Sequence, residues 1–353
     1  MSEDTYDWEK KRSVKAIVTL MSLIVILVCA MIVGISLGPI SIPFKETILI
    51  CLHKLHIIDY AGFSDQQWVV ITEVRLPRVL VASLVGGALA VAGVAMQGLF
   101  RNPLVEPGYI GVSSGAALGA VCAIFFGWSS ISAMFLPLSA FGGALLATSV
   151  ILLVWKATKQ QSIIVLLLLG IGINSFFSAI MNVMVATSKN EQELRSIVYW
   201  LQGGLEARTW EHVMIISVPI ILGGLVLLFF GNQLNMMLLG EEHAKTSGIN
   251  TRFTRNTVLT IAALITGAAV SVSGIIGFIG LVVPHILRLI IGPDHRLLLP
   301  ASALGGAAFL IFADLISRMI LQPITLQVGV VSALIGAPLF IILIIRAFRS
   351  ATL

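Results

Sequence analysis

The chain has 353 residues, of which 58% are hydrophobic and only 11% charged, and its mean hydropathy is +1.01. A soluble domain carries about 25% charged residues, so the composition excludes a soluble globular protein and indicates a single polytopic membrane domain over residues 1–353. The net charge of +5 is spread too thinly to indicate nucleic-acid binding, and the three cysteines form no CxxC pair, disulfide framework or metal site.

The uncharged stretches predict ten spans in chain order. About 20 apolar residues cross the hydrocarbon core, so the 49 uncharged residues of 107–155 indicate two helices with a break near 127–137. The 29 uncharged residues Ala16–Phe44 are too many for a signal peptide, which predicts a retained first helix. The predicted spans are 16–37, 76–100, 106–127, 135–156, 162–187, 211–231, 255–275, 278–291, 297–321 and 328–346.

The eighth span has only 14 residues and follows Gly274, Gly277 and Gly280. A short, glycine-interrupted segment predicts a broken helix shielded by protein. The alternative is one bent helix over residues 256–287, which would reverse the topology of the remaining chain. Ten spans put both termini on one side, and a cytoplasmic placement leaves 14 Lys and Arg inside against 8 outside, as the positive-inside rule favours.

The sequence contains an internal repeat, with one copy in each half of the chain. Residues 136–144 read LPLSAFGGA and residues 299–307 read LPASALGGA, and seven of the nine positions match. The second copy starts five spans after the first, and an odd number of spans implies inverted topology for spans 2–5 and 7–10. Inverted repeats are typical of transporters, whose pathway lies at the repeat interface. Chance similarity between apolar helices is the alternative.

The loop of about 232–255 is the longest predicted connection on the cytoplasmic side. Glu241 stands four residues before Lys245, an order that supports a helix, and Gly248 suits a helix C′ position. We expect a short amphipathic helix under the membrane that binds a cytoplasmic partner. The alternative is a solvated loop.

The fifth span carries a polar stripe at four-residue steps. It consists of Asn174, Ser178 and Asn182, extended by Met181 and Val185. Amides in lipid are costly without partners, so the stripe is expected to face a water-filled pathway, with interhelical hydrogen bonding as the alternative. Gly111, Gly115 and Gly119 also step by four, which predicts a helix-packing face.

Three arginines lie at the predicted outer ends of spans. Arg75 and Arg78 flank Pro77, and Arg318 stands beside Asp314. They predict a basic rim that binds an acidic surface, with snorkelling to the interface as the alternative. No phosphate-binding loop, HExxH or nucleophile elbow is present, so no catalytic or metal-binding residue is predicted.

Four long segments resemble the FecCD-type permeases, the membrane subunits of bacterial ATP-binding-cassette importers for ferric siderophores, haem and cobalamin. They read RLPRVLVASLVGGALAVAGVAMQGLFRNPLVEPGYIGVSSGAALGA (75–120), LGEEHAKTSGI (239–249), GFIGLVVPHILRLIIGPDHRLLLPASALGGA (277–307) and VGVVSALIGAPLFIILI (328–344). The resemblance implies an all-α membrane fold of ten transmembrane helices, the type II importer permease. It also implies a second permease subunit, two cytoplasmic ATPase subunits that hold ATP and Mg²⁺, and an extracytoplasmic substrate-binding protein. This chain itself would bind membrane lipid and carry no cofactor.

The resemblance also implies roles for individual residues. The coupling helix to the ATPase would be formed by Leu239, Gly240, Glu241, Glu242, Ala244, Ser247 and Gly248. Asn102, Leu104 and Ser162 match a cytoplasmic gate, and Arg75, Arg78 and Arg318 match residues that pair with glutamates of the binding protein.

Two classes of function are consistent with these observations. An importer permease of the inner membrane, with an iron complex as expected cargo and cobalamin as the alternative, is favoured by the docking loop. A self-contained secondary transporter is the other class. It is less favoured because Asp314 is the one carboxylate deep in a predicted span.

Overall fold

The computed structural model describes residues 3–59, 62–158 and 163–351, and these residues contain helices and no β-strand. Residues Val70–Arg75 form a π-helical turn, and short 3-10 turns occur at Pro107–Ile110 and Trp128–Ser130. The helices are α1 (Glu3–Ser36), α2 (Phe44–Lys54), α3 (Asp65–Val69), α4 (Leu76–Phe100), α5 (Val112–Phe125), α6 (Phe135–Ala157), α7 (Ile163–Ala186), α8 (Glu191–Gln202), α9 (Trp210–Phe229), α10 (Gly231–Leu238), α11 (Glu241–Thr246), α12 (Thr251–Ser273), α13 (Ile279–Ile291), α14 (His295–Met319) and α15 (Val328–Ala351).

The apolar helices agree with the predicted spans. Within the described ranges, eight helices are long and apolar enough to cross a membrane, and α5 and α13 are shorter apolar helices. Every predicted span coincides with one of these ten helices, which confirms an all-helical membrane protein. The clearest difference in bounds is at α5, which starts at Val112 rather than at 106 because residues 107–110 form a 3-10 turn.

The predicted break before the eighth span is confirmed, and the single bent helix is wrong. α12 ends at Ser273, and Gly274 and Phe278 then adopt positive φ angles of +67° and +69° before α13 begins. Carbonyl groups without helical partners near the break are bonded by other elements. Ser273 O, at the end of α12, accepts a hydrogen bond from Gly204 N at 2.8 Å, and Gly280 O, which has no N–H four residues on because residue 284 is proline, accepts one from Gln97 Nε2 at 3.0 Å. Irregular backbone is tolerated inside a membrane protein under this condition.

The two copies of the repeated motif lie at opposite ends of the bundle. α6 ends near α11, because Trp155 in its last turn lies 5.6 Å from the guanidinium of Arg255, which is bonded to Glu241 of α11. α14 instead begins near α11, because Asn235 of α10 accepts a hydrogen bond from His295 N at 2.8 Å. The helices that carry the copies therefore run antiparallel, as an inverted repeat requires.

Glycines let the central helices approach to backbone contact. A Cβ atom on Gly86 would lie 2.2 Å from Gly306 O, which places α4 directly against α14. Likewise, a Cβ atom on Gly115 would lie 2.5 Å from Gly143 O, and one on Gly119 would lie 2.1 Å from the carbonyl oxygen of Ser139 on α6. The predicted packing role is thereby confirmed for Gly115 and Gly119, since membrane helices associate through small residues.

Candidate functional site

A cavity of about 340 Å³ lies where the first-half helices meet the break between α12 and α13. Its wall is formed by α4, α5, α7, α12 and the connection 101–111. Most of its polar groups are neutral hydroxyls and amides. The lining residues are Leu89, Glu106, Pro107, Gly108, Tyr109, Ser113, Ser114, Asn174, Ser178, Met181, Thr266, Ile275, Ile276, Gly277 and Gly280.

The structure divides the α7 stripe between the cavity and the outside of the subunit. Asn174, Ser178 and Met181 line the cavity, whereas Asn182 is exposed beyond it and Val185 packs beside the core. Asn174 Oδ1 also accepts a hydrogen bond from the hydroxyl of Ser114 at 2.5 Å. Asn174 therefore combines the two expected roles, since it faces the cavity and joins α7 to α5.

Glu106 is a cavity residue that the sequence analysis missed. It lies in the connection between α4 and α5 and lines the cavity beside the break. Burial raises the pKa of Glu106, and the backbone of Phe278 opposes the shift. The sequence does carry a signal for this residue, because Glu106 is the single charged residue in the 54 residues of 102–155. It was missed because only carboxylates deep inside predicted spans were considered.

The predicted gate residues begin the same connection. Arg101 directly follows α4 and has a left-handed φ of +50°, and Asn102 Oδ1 then accepts a hydrogen bond from Leu104 N at 2.9 Å. Leu104 is 42% exposed and lies at the end of the bundle that carries α11. Ser162, the third predicted gate residue, lies outside the described residues.

The loop of 232–255 contains the expected short helix, α11, preceded by α10. Ala244 is fully buried, while Glu242 and Ser247 are exposed and Leu239 is 67% exposed. The helix is bounded by Gly240 and Gly248, whose φ angles are +123° and +82°. The C′ position predicted for Gly248 is confirmed. α11 therefore packs against the rest of the protein through Ala244 and leaves its opposite face accessible to a partner.

The partner expected for Glu241 is corrected. The sequence suggested Lys245, but Glu241 pairs instead with Arg255 of α12 at 2.8 Å. Arg255 also lies over the buried ring of Trp155 on α6. A long-range pair displaces the local one because Arg255 is held in place by that ring. The pair joins the start of α11 to two membrane helices.

Two of the three arginines of the predicted rim, Arg75 and Arg318, are buried in this subunit. Arg75 is only 4% exposed, and it donates hydrogen bonds to Ile35 O at 3.0 Å, to Ser36 O at 2.6 Å and to the carbonyl oxygen of Ile40. Arg318 is 5% exposed and donates to Gly34 O at 3.0 Å and to Leu37 O at 3.1 Å. The last carbonyl groups of a helix have no partner within it, so these cations complete the end of α1.

Arg78 is held by a buried carboxylate. Arg78 Nη2 and Nε donate hydrogen bonds to Asp314 Oδ1 at 2.8 and 2.9 Å. Arg318 Nε lies 3.1 Å from the other oxygen of the same carboxylate. Arg208, in the connection between α8 and α9, is a fourth cation near this cluster. Burial and the charge of Arg78 lower the pKa of Arg208 to about 10, against an opposing effect of Glu206. The four arginines therefore outnumber Asp314 and Glu206, which leaves the cluster net positive.

Replacing Asp314 by asparagine is expected to destabilise the protein strongly. Asp314 is 1% exposed, and its loss leaves two buried guanidinium groups without their carboxylate. Removing one partner of such a pair costs about 3–5 kcal/mol. The melting temperature of the purified protein in detergent measures the effect. Glu191→Gln is the matched control, since it removes an exposed pair to Arg195, and an Asp314→Asn protein that melts with this control would contradict the prediction.

Comparison with known proteins agrees with this architecture. The model of the FecCD transport family matches residues 24–346. A solved structure of a provisionally assigned metal-chelate type ABC transporter in an inward-facing conformation superposes with a TM-score of 0.81, at 33% identity, over 93% of this chain and 98% of that one.

The chain also matches several curated relatives over most of their length. The cobalamin import system permease protein BtuC of Halobacterium salinarum is 40% identical, covering 80% of this chain and 75% of its own. The hemin transport system permease protein HmuU of Yersinia pestis is 39% identical over 92% and 94%. The molybdate import system permease protein MolB of Haemophilus influenzae is 36% identical over 94% and 96%. With a family model over nearly the whole chain and this helical arrangement, the chain belongs to the FecCD transport family of ABC importer permeases.

Proposed function

We propose that this chain takes up an iron complex, a ferric siderophore or haem, across the bacterial cytoplasmic membrane by alternating access. The observation that supports it is the cavity between α7 and the break before α13, because a transporter binds its cargo where broken helices of the two repeats meet. Uncharged hydroxyl and amide groups suit a bulky complex carried whole. Both termini and α11 are placed in the cytoplasm, in agreement with the distribution of Lys and Arg.

A second permease subunit, either identical or a paralogue, completes the pathway along α7. Within this subunit, only 11% of the most apolar 18-residue stretch of α7 is buried. The exposed residues of α7 include the polar Ser175, Ser178 and Asn182. Polar groups facing lipid are costly, so this face fits a partner subunit around a shared pathway better than it fits lipid. The remaining exposed apolar residues of the bundle contact membrane lipid.

The other partners bind at opposite ends of the bundle. Of the two ATPase subunits, which hold the ATP and Mg²⁺, one binds this chain at the exposed surface of α11 and its flanking residues, formed by Leu239, Glu242 and Ser247. An extracytoplasmic binding protein approaches the end that carries the arginine cluster. Because Arg75 and Arg318 complete α1, contact with glutamates of that protein falls mainly to Arg78 and Arg208 at its edge.

The cargo is tested by uptake. A strain lacking this gene is supplied with labelled ferric siderophore, haem, cobalamin or molybdate, and the purified complex is then reconstituted with its ATPase and binding protein. We expect ATP-dependent uptake of an iron complex, blocked by vanadate. Uptake of cobalamin, favoured by the relative BtuC, or of molybdate, favoured by MolB, would replace the iron assignment.

Glu106 favours one different class of function. A carboxyl group in a transport cavity can carry a proton, as in secondary transporters. Uptake by this chain alone, driven by a proton gradient and insensitive to vanadate, would establish that class and contradict the importer. We expect no such uptake, because the chain belongs to the FecCD transport family of ABC importer permeases.

A further inference from the structure

Gln97 of α4 holds one wall of the cavity in place. Its side chain is buried, and its Nε2 donates a hydrogen bond to Gly280 O at 3.0 Å. Gly280 lines the cavity, and its carbonyl group has no partner within α13 because residue 284 is proline. Gln97 Oε1 accepts a second hydrogen bond from Arg288 Nη2 at 2.7 Å. One buried amide on α4 therefore holds α13 at two points.

The next residue of α4, Gly98, contacts the start of α14. A Cβ atom on Gly98 would lie 2.4 Å from His295 Nε2 and 3.0 Å from His295 Cδ2, so the imidazole ring packs against the backbone of α4. His295 is the first residue of α14, and only 1% of it is exposed. A displacement of this ring therefore acts on α4 directly beside Gln97.

Asn235 connects the same ring to α10. Asn235 Nδ2 donates a hydrogen bond to Asp294 Oδ1 at 2.7 Å, which fixes the orientation of the amide. Asn235 Oδ1 consequently faces His295, where it accepts the backbone N–H at 2.8 Å and lies 2.9 Å from Nδ1. Because an amide oxygen can only accept a hydrogen bond, Nδ1 of His295 carries the proton. Asn235 thus bonds α10 to the start of α14.

α10 leads directly into the helix that is expected to bind the ATPase. α10 ends at Leu238 and α11 begins at Glu241. In the short connection between them, Gly240 N donates a hydrogen bond to Met237 O at 3.2 Å. Leu234 and Met237 are fully buried, so α10 is fixed in the bundle. A displacement of α11 therefore reaches α10 first, and Asn235 with it.

We propose that Asn235, His295 and Gln97 are positioning residues on one path, along which movement of α11 changes the position of the Gly280 carbonyl group at the cavity. The inference rests on the proposed function, in which α11 binds the ATPase and the cavity holds the cargo. It adds the contacts that connect the two. Each step is a hydrogen bond or a close packing contact, and chains of such contacts carry energetic coupling between distant sites.

A thiol in the cavity tests this coupling without any cargo. The three native cysteines are replaced by alanine, and Ser178→Cys places one thiol in the lining. The permease–ATPase complex is labelled with N-ethylmaleimide before and after vanadate arrests ATP hydrolysis. We expect arrest to change the labelling rate about ten-fold in this background, which is within the usual range of coupling between two sites.

Two path variants, Gln97→Met and Asn235→Ala, are compared with this background. We expect each to reduce the ten-fold response to about three-fold while the ATPase stays bound and active. The double variant should also respond about three-fold, because both changes interrupt the same path, whereas independent losses would add and abolish the response. Thr148→Val is the matched control, since it removes a buried hydrogen bond to Ala144 O within α6, and it should keep the full response.

Gln97→Glu separates the two contacts of Gln97. It keeps an acceptor for Arg288 but lacks the N–H that Gly280 O accepts, so we expect the reduced response of Gln97→Met. A full response in Gln97→Glu would assign the effect to Arg288 and overturn the path to the cavity. If neither Gln97 variant assembles, Asn235→Ala decides, since a full response there overturns the path and a reduced one supports it.

The remaining outcomes separate the path from the proposed function. A full response in both single variants, or no response in the double variant, would overturn the path and leave the importer function intact. A background protein whose labelling does not change on arrest would contradict alternating access itself, and the path with it.

Discussion

Gly93→Ala is expected to prevent the protein from folding stably in the membrane. The new methyl group would lie 2.0 Å from Gly280 O and 2.6 Å from Gly280 Cα, so two backbones rather than a flexible side chain would have to separate. Overpacking of a tight core costs about 1–3 kcal/mol of stability. We expect a larger loss here, because the neighbouring atoms belong to the backbone of Gly280 and cannot move aside as a side chain would. The yield of monodisperse protein in detergent and its melting temperature measure the loss.

Gly142→Ala is the matched control, since it makes the same change within a helix. Gly142 lies in α6, is exposed, and has no atom within 4 Å of its added Cβ. Alanine in place of an interior helical glycine stabilises by roughly 0.5–1 kcal/mol where the backbone allows it. The two variants should therefore shift the melting temperature in opposite directions. A Gly93→Ala protein as stable as the wild type would show that α4 and α13 do not meet as described.

Ala244→Leu is expected to abolish transport by detaching the ATPase. Ala244 is the buried residue of α11, and a larger side chain would lift the helix from its seat against the bundle. Because α11 joins the bundle mainly through this face and through Glu241 with Arg255, the membrane helices themselves should remain intact. The measurements are co-purification of the ATPase with the tagged permease and uptake in cells.

Gln192→Leu provides the comparison, because it adds a similar side chain at an exposed site on α8, away from α11. We expect it to retain both the ATPase and uptake. An Ala244→Leu complex that assembles and transports normally would show that α11 is not the coupling element. A variant that fails to reach the membrane would show instead that the seat of α11 is part of the folding core.

The spans and the break could be predicted from the sequence because they depend on local quantities. Uncharged length determines whether a helix can cross the bilayer, and the glycines before residue 278 mark where backbone leaves the helix. The cap at Gly248 is local as well. Each of these features is encoded within about 20 neighbouring residues of the chain.

The surroundings of the charged residues could not be predicted in the same way. Arg75 reaches carbonyl groups of residues 35–40, and Arg78 reaches Asp314, 236 positions away in the sequence. Their positions at the ends of predicted spans suggested a rim, whereas the end of α1 supplies the partners of Arg75 and Asp314 on α14 supplies the partner of Arg78.

One contact at the end of α1 depends on a residue that the ribosome makes much later. Arg75 holds the carbonyl groups of Ile35 and Ser36, but Arg318 Nη2 bonds Gly34 O across 284 positions, so this carbonyl group lacks its cation until nearly the whole chain has been made. At about 5–20 residues per second, that interval lasts roughly 15–60 s. A chain truncated before α14 would lack the Arg318 contacts to Gly34 O and Leu37 O at the end of its first helix. The final packing of the first helix therefore depends on synthesis of nearly the whole chain.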